Sequence, residues 1–382
     1  MQNIIDYIKW RGDLNFSNDH LNEVDNLIFS VLSYLEFDGI VPCLSEAGSI
    51  SLGEAADLFR NSAHQSSPTE HKAFINKIKK LLLDAGHSKR YQGVRISSYV
   101  NYFDFKTANQ FAAVVFSISD DLHYVAFRGT DDSLVGWKED FQMSFIEEVP
   151  AQQQAVTYLQ QAAAKYAGNF YLGGHSKGGN LAVYAAAKAD ECLQDRIINI
   201  QNNDGPGFMP NFMQSEGYQN IRGKINTLMP QSSIIGMMLE QNDEYKVVSS
   251  YETGLMQHFP LSWEVQGNHF VYEKRLAKVS LNLNKVVRGW LNKVSPEQRA
   301  ESFGALFQII QSTGAATISE LSSRKLAASW AMIKTYKNLD PQTRSNFKNA
   351  VKIFIAENRK ILRKSIRKDF GSLFWRDNWG RS

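Results

Sequence analysis

Cysteine is scarce in this sequence. Only Cys43 and Cys192 occur among 382 residues, and they stand far apart in the chain. This excludes a disulfide-stapled scaffold, and the spacing is not that of a zinc site. Such low usage fits a reducing compartment. The N-terminal residues include Asp6 and no long apolar run, which is not the pattern of a signal peptide. We therefore expect a cytoplasmic protein.

An excess of one charge and a long apolar run are also missing. Lysine and arginine number 42, against 39 aspartates and glutamates, which gives a net charge of +3. This balance does not predict binding to nucleic acid. No segment approaches the ~20 apolar residues of a membrane-spanning helix. The sequence has no metal-ligand cluster and no phosphate-binding glycine loop, so we expect no metal and no cofactor.

Apolar residues, by contrast, are plentiful. They make up 43% of the chain, and aromatic residues 12%, which is enough for a large core. Strand patterns alternate with helix patterns from residue 91 to residue 250, and this predicts a mainly parallel sheet flanked by helices. From Ser280 the pattern is helical throughout. We therefore divide the chain into an α/β domain, 1–280, with a helical N-terminal segment, and a helical C-terminal extension, 281–382.

The most informative stretch is Gly174-His175-Ser176-Lys177-Gly178, which has the form G-x-S-x-G. A short buried strand is predicted before it, at 169–172, and an alanine-rich helix after it, at 179–188. Strand, tight turn and helix together resemble the nucleophile elbow of the α/β-hydrolases, in which a strained turn exposes the serine oxygen. This makes Ser176 the candidate nucleophile. The alternative is a glycine-rich turn with an incidental serine.

A second stretch, Val125-Ala126-Phe127-Arg128-Gly129-Thr130, ends a hydrophobic strand in a polar turn, and Trp137 and Asp140 follow. It resembles the "FRGT…W…D" block of the class 3 (fungal-type) lipases, whose other signature, Gly-His-Ser-x-Gly-Gly, stands here at 174–179. By that resemblance, Thr130 contributes its hydroxyl and its N–H to an oxyanion hole, and the N–H of Lys177 is the second donor. The alternative for Thr130 is a helix N-cap or a turn residue.

Further blocks extend the resemblance along the chain. Segments 1–13 and 22–30 look like the beginning of a family of bacterial class-3-lipase-like proteins, which come mostly from Gram-positive bacteria. Blocks at 203–208, 230–236 and 257–263 fit the same family. The resemblance implies an α/β-hydrolase fold. It implies little about the substrate, because one fold serves many functions.

A serine nucleophile needs a base, and the order of residues narrows the choice. Hydrolases of this fold carry serine, acid and histidine in that order along the chain. Of the histidines, only His258 and His269 follow Ser176. His258 lies after a predicted strand and before Pro260, hence in a loop, where a base can reach the carboxyl edge of the sheet. We prefer it to His269, and we interpret His175 as a structural residue of the elbow.

The acid is harder to place. In class 3 lipases it follows the second strand after the elbow, but here that strand, at 224–229, leads into Pro230-Gln231-Ser232-Ser233, which has no carboxylate. Asp204 follows the strand before it, and some α/β-hydrolases place the acid there. We expect Asp204 to be the acid, with Asp243 in reserve. The alternatives are an Asx-turn role for Asp204 and a Ser–His dyad without an acid.

The last predicted helix, 341–368, is rich in basic residues: Lys348, Lys352, Arg359, Lys360, Arg363, Lys364, Arg367 and Lys368. Apolar residues are interleaved with them. A basic amphipathic helix can rest weakly on an anionic membrane surface. The alternative, which we favour, is that the apolar residues pack on the rest of the protein and the basic face is solvated.

Together these patterns predict a serine hydrolase of carboxylic esters, similar to lipases and esterases. Ser176 attacks, His258 moves the proton and Asp204 orients the imidazole, while Thr130 and the N–H of Lys177 stabilise the oxyanion. Lipid esters and short soluble esters fit equally well. The competing hypothesis is a non-catalytic α/β-hydrolase-like binding or scaffold protein that associates with membranes.

Overall fold

The computed structural model describes residues 2–61, 70–104, 109–131, 133–241, 244–315, 320–321 and 325–376, with side chains except at 70–72, 135, 325–328, 362 and 364–376. Within these residues a nine-stranded sheet forms the centre of the protein. The described residues form eleven strands, of which all but β9 and β10 belong to this sheet: β1 (Ile50–Ser51), β2 (Arg95–Asp104), β3 (Asn109–Ser117), β4 (Leu122–Phe127), β5 (Asn169–His175), β6 (Ile197–Asn203), β7 (Ile225–Pro230), β8 (Tyr245–Val248), β9 (Val265–Gln266), β10 (His269–Phe270) and β11 (Tyr272–Glu273).

The middle of the sheet is parallel. β4 to β8 are neighbours in sequence order, and each pairs in parallel with the next. β1, β2 and β3 extend one edge by antiparallel pairing, and β11 pairs antiparallel with β8 at the other edge. β9 and β10 form a separate two-stranded sheet. The predicted α/β-hydrolase fold is confirmed, with antiparallel strands added at both edges.

Helices cover both sides of this sheet. They are α1 (Ile4–Arg11), α2 (Glu23–Leu32), α3 (Leu52–Asn61), α4 (Glu70–Gly86), α5 (Leu134–Gln142), α6 (Pro150–Lys165), α7 (Lys177–Lys188), α8 (Glu191–Arg196), α9 (Pro210–Met213), α10 (Glu216–Ile221), α11 (Lys278–Leu291), α12 (Pro296–Gln311), α13 (Lys325–Asn338) and α14 (Pro341–Arg376). α12 begins where Ser295 Oγ accepts a hydrogen bond from the N–H of Gln298, a typical N-cap.

Alternate residues of the central strands face two different cores. Tyr124 and Ala126 of β4 pack with the N-terminal helices, and the Tyr124 ring lies 5.3 Å from that of Phe29 on α2. Val125 and Phe127 point to the other side and pack with α6 and α7. Because side chains of a strand alternate between its faces, β4 is buried on both sides. This double burial holds the carboxyl ends of β4, β5 and β6 in a rigid frame.

The C-terminal helices pack on one another and on α5. Trp290 Nε1 of α11 donates to the carbonyl oxygen of Ala350 on α14 at 2.9 Å, and the Phe303 ring of α12 lies 4.8 Å from that of Phe141 on α5. α11 begins at Lys278, so the predicted boundary at 280 falls in its first turn; the division into two domains stays a prediction. None of the described helices is long and apolar enough to cross a membrane.

Candidate active site

Ser176 lies in the turn between β5 and α7. Its backbone has φ 58° and ψ −132°, a conformation that costs free energy for any residue with a Cβ. The turn is tight because α7 begins close against the end of β4: a Cβ on Gly178 would stand 2.1 Å from the carbonyl oxygen of Phe127. The Ser176 N–H donates to the carbonyl oxygen of Asn203 at 2.9 Å. Ser176 therefore occupies the strained position that the elbow motif predicts.

Asp204 follows β6, the strand that pairs with β5. The carboxyl ends of neighbouring parallel strands meet at one edge of the sheet, which brings Asp204 close to the elbow. Its side chain is fully buried and its φ is 52°. The carboxylate accepts hydrogen bonds from Ser233 Oγ and, at 3.1 Å, from the N–H of Gly236. Both donors belong to the segment after β7.

His258 contacts this carboxylate directly. Its Nδ1 donates to Asp204 Oδ2 at 2.6 Å, and 23% of its side chain is exposed. It ends a 3₁₀ turn, Gly254–His258, where the sequence predicted a loop. In the neutral ring, a proton on Nδ1 makes Nε2 an acceptor. Within the described part of the chain no hydrogen bond joins Ser176 Oγ to Nε2, so the arrangement consists of an Asp204–His258 pair beside the serine.

Buried hydrogen bonds anchor the loop that carries His258. Gln257 Oε1 accepts from the N–H of Ser232 at 2.6 Å, and Trp263 Nε1 donates to the carbonyl oxygen of Gln257 at 2.9 Å. Trp263 is fully buried. These contacts tie the loop to the segment after β7, which also supplies the donors to Asp204.

His175 connects the elbow to the same loop. Its Nε2 donates to the carbonyl oxygen of His258 at 2.8 Å, and its Nδ1 lies 3.0 Å from the Tyr34 hydroxyl. Burial lowers the pKa of His175 well below its usual range, and the neighbouring His258 lowers it further. The ring is therefore neutral, with one donor and one acceptor nitrogen.

Thr130 lies in the turn after β4, and this turn packs on the elbow: a Cβ on Gly129 would stand 2.4 Å from the carbonyl oxygen of His175. The Thr130 hydroxyl donates to the Asp140 carboxylate, with Oγ1 at 2.8 and 2.7 Å from its two oxygens. Burial raises the pKa of Asp140 to about 6, although Lys177 and the Thr130 hydrogen bond oppose the rise. The hydroxyl has one proton, and that proton is directed to Asp140.

Lys177 follows the nucleophile as the first residue of α7. The first N–H groups of a helix have no intrahelical acceptor, so this N–H is suited to bind an oxyanion. The side chain is buried: Nζ donates to Glu139 Oε2 at 2.7 Å and to the carbonyl oxygen of Gln110 at 3.0 Å. Glu139 Oε1 in turn accepts from the N–H of Ala151 at 2.9 Å. This ion pair fixes α5 against the elbow.

Of the two alternative residues, the structure describes His269 only. His269 stands on β10 with an exposed side chain, and its Nδ1 contacts the carbonyl oxygen of Phe270. Asp243 lies outside the described residues. Sequence reasoning missed the donors Ser233 and Gly236, although their block had been recognised by its family resemblance. Their contacts with Asp204 span about 30 residues of chain, and no local pattern indicates such contacts.

Comparison with known proteins places the chain in a family. A profile of the Mbeg1-like family matches residues 85–308, more than half of the 382 residues. The chain belongs to the Mbeg1-like family. This confirms the relationship to class-3-lipase-like proteins that the sequence motifs predicted. The matched range includes Thr130, Ser176, Asp204 and His258.

A comparison of this chain with curated proteins found no match. Among solved structures, the chain is similar to M37 lipase, with 16% identity and a TM-score of 0.34 over 55% of this chain and 68% of that chain. It is also similar to the Rhizomucor miehei lipase–propeptide complex, with 14% identity and a TM-score of 0.32 over 44% of this chain and 70% of that chain. A structural similarity this weak supports no inference about activity. Among the described residues, no group of His, Cys, Asp and Glu could hold a metal ion.

Proposed function

We propose that this protein is a serine hydrolase that cleaves carboxylic esters. Ser176 Oγ attacks the carbonyl carbon, and His258 Nε2 takes the serine proton. The tetrahedral intermediate collapses as the ester C–O bond breaks, and His258 returns the proton to the departing alcohol. Water then hydrolyses the acyl-serine by the same steps. Asp204 holds the imidazole and stabilises its protonated form.

One observation carries this proposal: the buried carboxylate of Asp204 accepts from His258 Nδ1 at 2.6 Å, at the sheet edge where strained Ser176 stands. In the neutral ring this bond places the proton on Nδ1, so that Nε2 is the acceptor that a general base requires. The carboxylate is also held by the Ser233 hydroxyl and the Gly236 N–H. Such supporting donors keep a catalytic pair oriented.

The N–H groups of Thr130 and Lys177 form the oxyanion hole in this proposal. Donors preorganised around the developing negative charge are commonly a large part of catalysis. The Thr130 hydroxyl, which donates to Asp140, has a supporting role, because it fixes the turn that carries the N–H.

A fluorophosphonate probe tests the proposal, because it reacts with activated serines. Wild-type protein should be labelled in a time-dependent way, and Ser176→Ala should not be labelled. Ser17→Ala is the control and should be labelled like the wild type, since it changes an exposed serine that is not part of this arrangement. Equal labelling of wild type and Ser176→Ala would refute the proposal, and no labelling of either would favour the non-catalytic scaffold.

Three broader expectations accompany this function. Residues 1–280 would form the catalytic α/β domain and 281–382 a helical extension. The protein would act in the cytoplasm, where Cys43 and Cys192, both free thiols, are stable. The apolar residues of α14 would pack on the rest of the protein and its basic face would be solvated; weak contact of that face with an anionic membrane is the alternative.

A further inference from the structure

An apolar cavity of about 290 Å³ lies between α5 and the C-terminal helices. Its walls come from α5, the segment after β7, α11, α12 and α14, and include Phe141, Met238, Leu239, Leu291, Phe303 and Val351. Apolar cavities of about 150 Å³ can stay dry and bind a molecule as small as benzene. A cavity of this size and character therefore suits an apolar ligand.

One polar group in the wall has no partner among the described residues. Ser144 Oγ donates to the carbonyl oxygen of Phe141, and Trp290 Nε1 to that of Ala350. Ser302, by contrast, is 5% exposed, and its hydroxyl forms no hydrogen bond within the described part of the chain. A buried hydroxyl without a partner is unfavourable unless something else supplies one. The ligand that fits is apolar along its length and has an oxygen that accepts a hydrogen bond.

The cavity is connected to the candidate active site through its walls. Met238 stands two residues after Gly236, whose N–H donates to Asp204. The carbonyl oxygen of Met238 accepts from the N–H of Gly207 at 2.8 Å. On the other side, Phe141 follows Asp140, the acceptor of the Thr130 hydroxyl. The same two segments thus support the catalytic groups and line the cavity.

The cavity also reaches the surface. Val351 and Phe354 of α14 belong to its wall and are 41% and 37% exposed. Exposed apolar residues at the rim of an apolar cavity give a flexible chain a route of entry. A peptide would need several polar partners, which this wall lacks, whereas an alkyl chain needs none.

We propose that this cavity binds a fatty acyl chain, with the Ser302 hydroxyl donating to its carboxyl or ester oxygen. The bound chain is a ligand separate from the ester at Ser176, because its oxygen contacts Ser302 whereas an ester carbonyl under attack must lie at Ser176; the inference therefore does not rest on the proposed function. Binding itself requires no catalysis. Affinity for fatty acids should rise about fourfold for each added methylene until the cavity is full.

Binding can be measured with full-length Ser176→Ala protein, by displacement of fluorescent cis-parinarate with fatty acids from hexanoate to palmitate. Affinity should rise with chain length and then level off. Ala350→Leu adds volume to the wall and should move the plateau to shorter chains, with at least about a tenfold loss for palmitate. Ala356→Leu, an exposed position on the same helix, should bind like the parent.

The variant Ser302→Ala tests whether the Ser302 hydroxyl binds the ligand or stabilises the fold. Because the hydroxyl has no partner, its removal should leave the Tm of the free protein unchanged or raise it. Fatty acid binding should weaken about threefold to tenfold, the value of one hydrogen bond. A lower Tm of the free protein with unchanged binding would overturn the role of Ser302.

The acyl site is refuted if affinity does not depend on chain length, or if Ala350→Leu and Ala356→Leu behave alike. Should Ala350→Leu fail to fold by circular dichroism, Leu306→Ala decides instead, because a larger cavity must move the plateau to longer chains. Labelling of Ser176 without fatty acid binding would refute this inference alone. Fatty acid binding without labelling would refute only the proposed hydrolase.

Discussion

His175 and His258 are joined by a hydrogen bond that connects the elbow to the loop of the proposed base. His175 Nε2 donates to the carbonyl oxygen of His258 at 2.8 Å, and the two rings lie 4.5 Å apart. Because the proton is on Nε2, Nδ1 accepts from the Tyr34 hydroxyl at 3.0 Å. The backbone of His258 is thus positioned relative to Ser176 by the residue that precedes the serine.

His175→Phe should reduce both stability and turnover. The phenyl ring fills the space but leaves the His258 carbonyl oxygen without its donor, at a cost of about 1–3 kcal/mol. The Tyr34 hydroxyl keeps the backbone carbonyl oxygen of residue 175 as an acceptor at 3.3 Å. We expect kcat to fall by up to about 10²-fold with KM little changed, because the base moves relative to the serine. His175→Gln, which can donate from a similar position, should recover part of kcat. A loss of stability with normal kcat would show that the bond does not position the base.

The pH dependence of the free energy of unfolding tests whether the buried His175 ring is neutral. Its pKa is lowered by burial, so native His175 stays neutral while the unfolded chain takes up a proton below about pH 6.5. Its contribution to the free energy of unfolding is therefore lost as pH falls through about 6.5. Urea titrations should show the gap between wild type and His175→Phe shrinking from pH 8 to pH 5.5. A constant gap would contradict a neutral buried ring.

Substitution of His258 or Asp204 should lower activity far more than substitution of His269. We expect His258→Ala to lower kcat/KM for an activated ester by more than about 10³-fold, and Asp204→Asn by about 10²- to 10⁴-fold, because each removes a member of the catalytic unit. Asparagine tolerates the positive φ of position 204, so Asp204→Asn should fold. His269→Ala is the matched control, since that side chain is exposed. If His269→Ala is the inactive variant, the base is misassigned.

Thr130→Val should have a small effect on kcat, below about tenfold. Removal of a side-chain oxyanion donor typically costs about 10²- to 10³-fold, but the Thr130 hydroxyl already donates to Asp140. Thr130→Pro removes the N–H and should be severe. A loss of 10²-fold or more in Thr130→Val, with an intact fold, would mean that the hydroxyl turns to the oxyanion during reaction.

The same variant should change how stability depends on pH. Burial raises the pKa of Asp140 to about 6, so the native state holds a proton that the unfolded chain loses near pH 4, and the stability contribution of Asp140 falls as pH rises through this window. Without the Thr130 hydroxyl the ionised carboxylate loses the donor that the described residues give it, and the stability contribution continues to fall above pH 6. Thr130→Val should therefore be more strongly destabilised at pH 8 than at pH 5. Equal destabilisation at the two pH values would show that Asp140 is not the relevant partner.

The basic face of α14 can be tested on anionic vesicles. Arg359, Lys360 and Arg363 are exposed there, next to exposed Ile355; the side chains of Lys364, Arg367 and Lys368 lie outside the described residues. Reversal of the three described charges should abolish co-sedimentation at low salt, since each cation near such a surface is worth about 1 kcal/mol and is screened by salt. Reversal of exposed Lys77, Lys80 and Lys89 is the control. Absence of binding at low salt would leave α14 with a packing role only.

Local signals in the sequence determined much of the architecture. The G-x-S-x-G turn, with a strand before and a helix after, predicted the strained Ser176, because backbone conformation at a turn depends on its own residues and their glycines. Alternation of strands and helices predicted the parallel sheet. The order serine, acid, histidine restricted the base to two histidines.

Tertiary structure alone decided which distant groups touch. The contact of His258 with Asp204 and the donation from Ser233 depend on three separate loops that meet at one sheet edge. The direction of the Thr130 hydroxyl depends on α5, whose position is held by the buried pair Lys177–Glu139. The apolar cavity exists because α5 and the C-terminal helices, which are distant in sequence, leave space between them. Such contacts are set by how side chains fill space between elements, a property that no periodicity or motif in one segment contains.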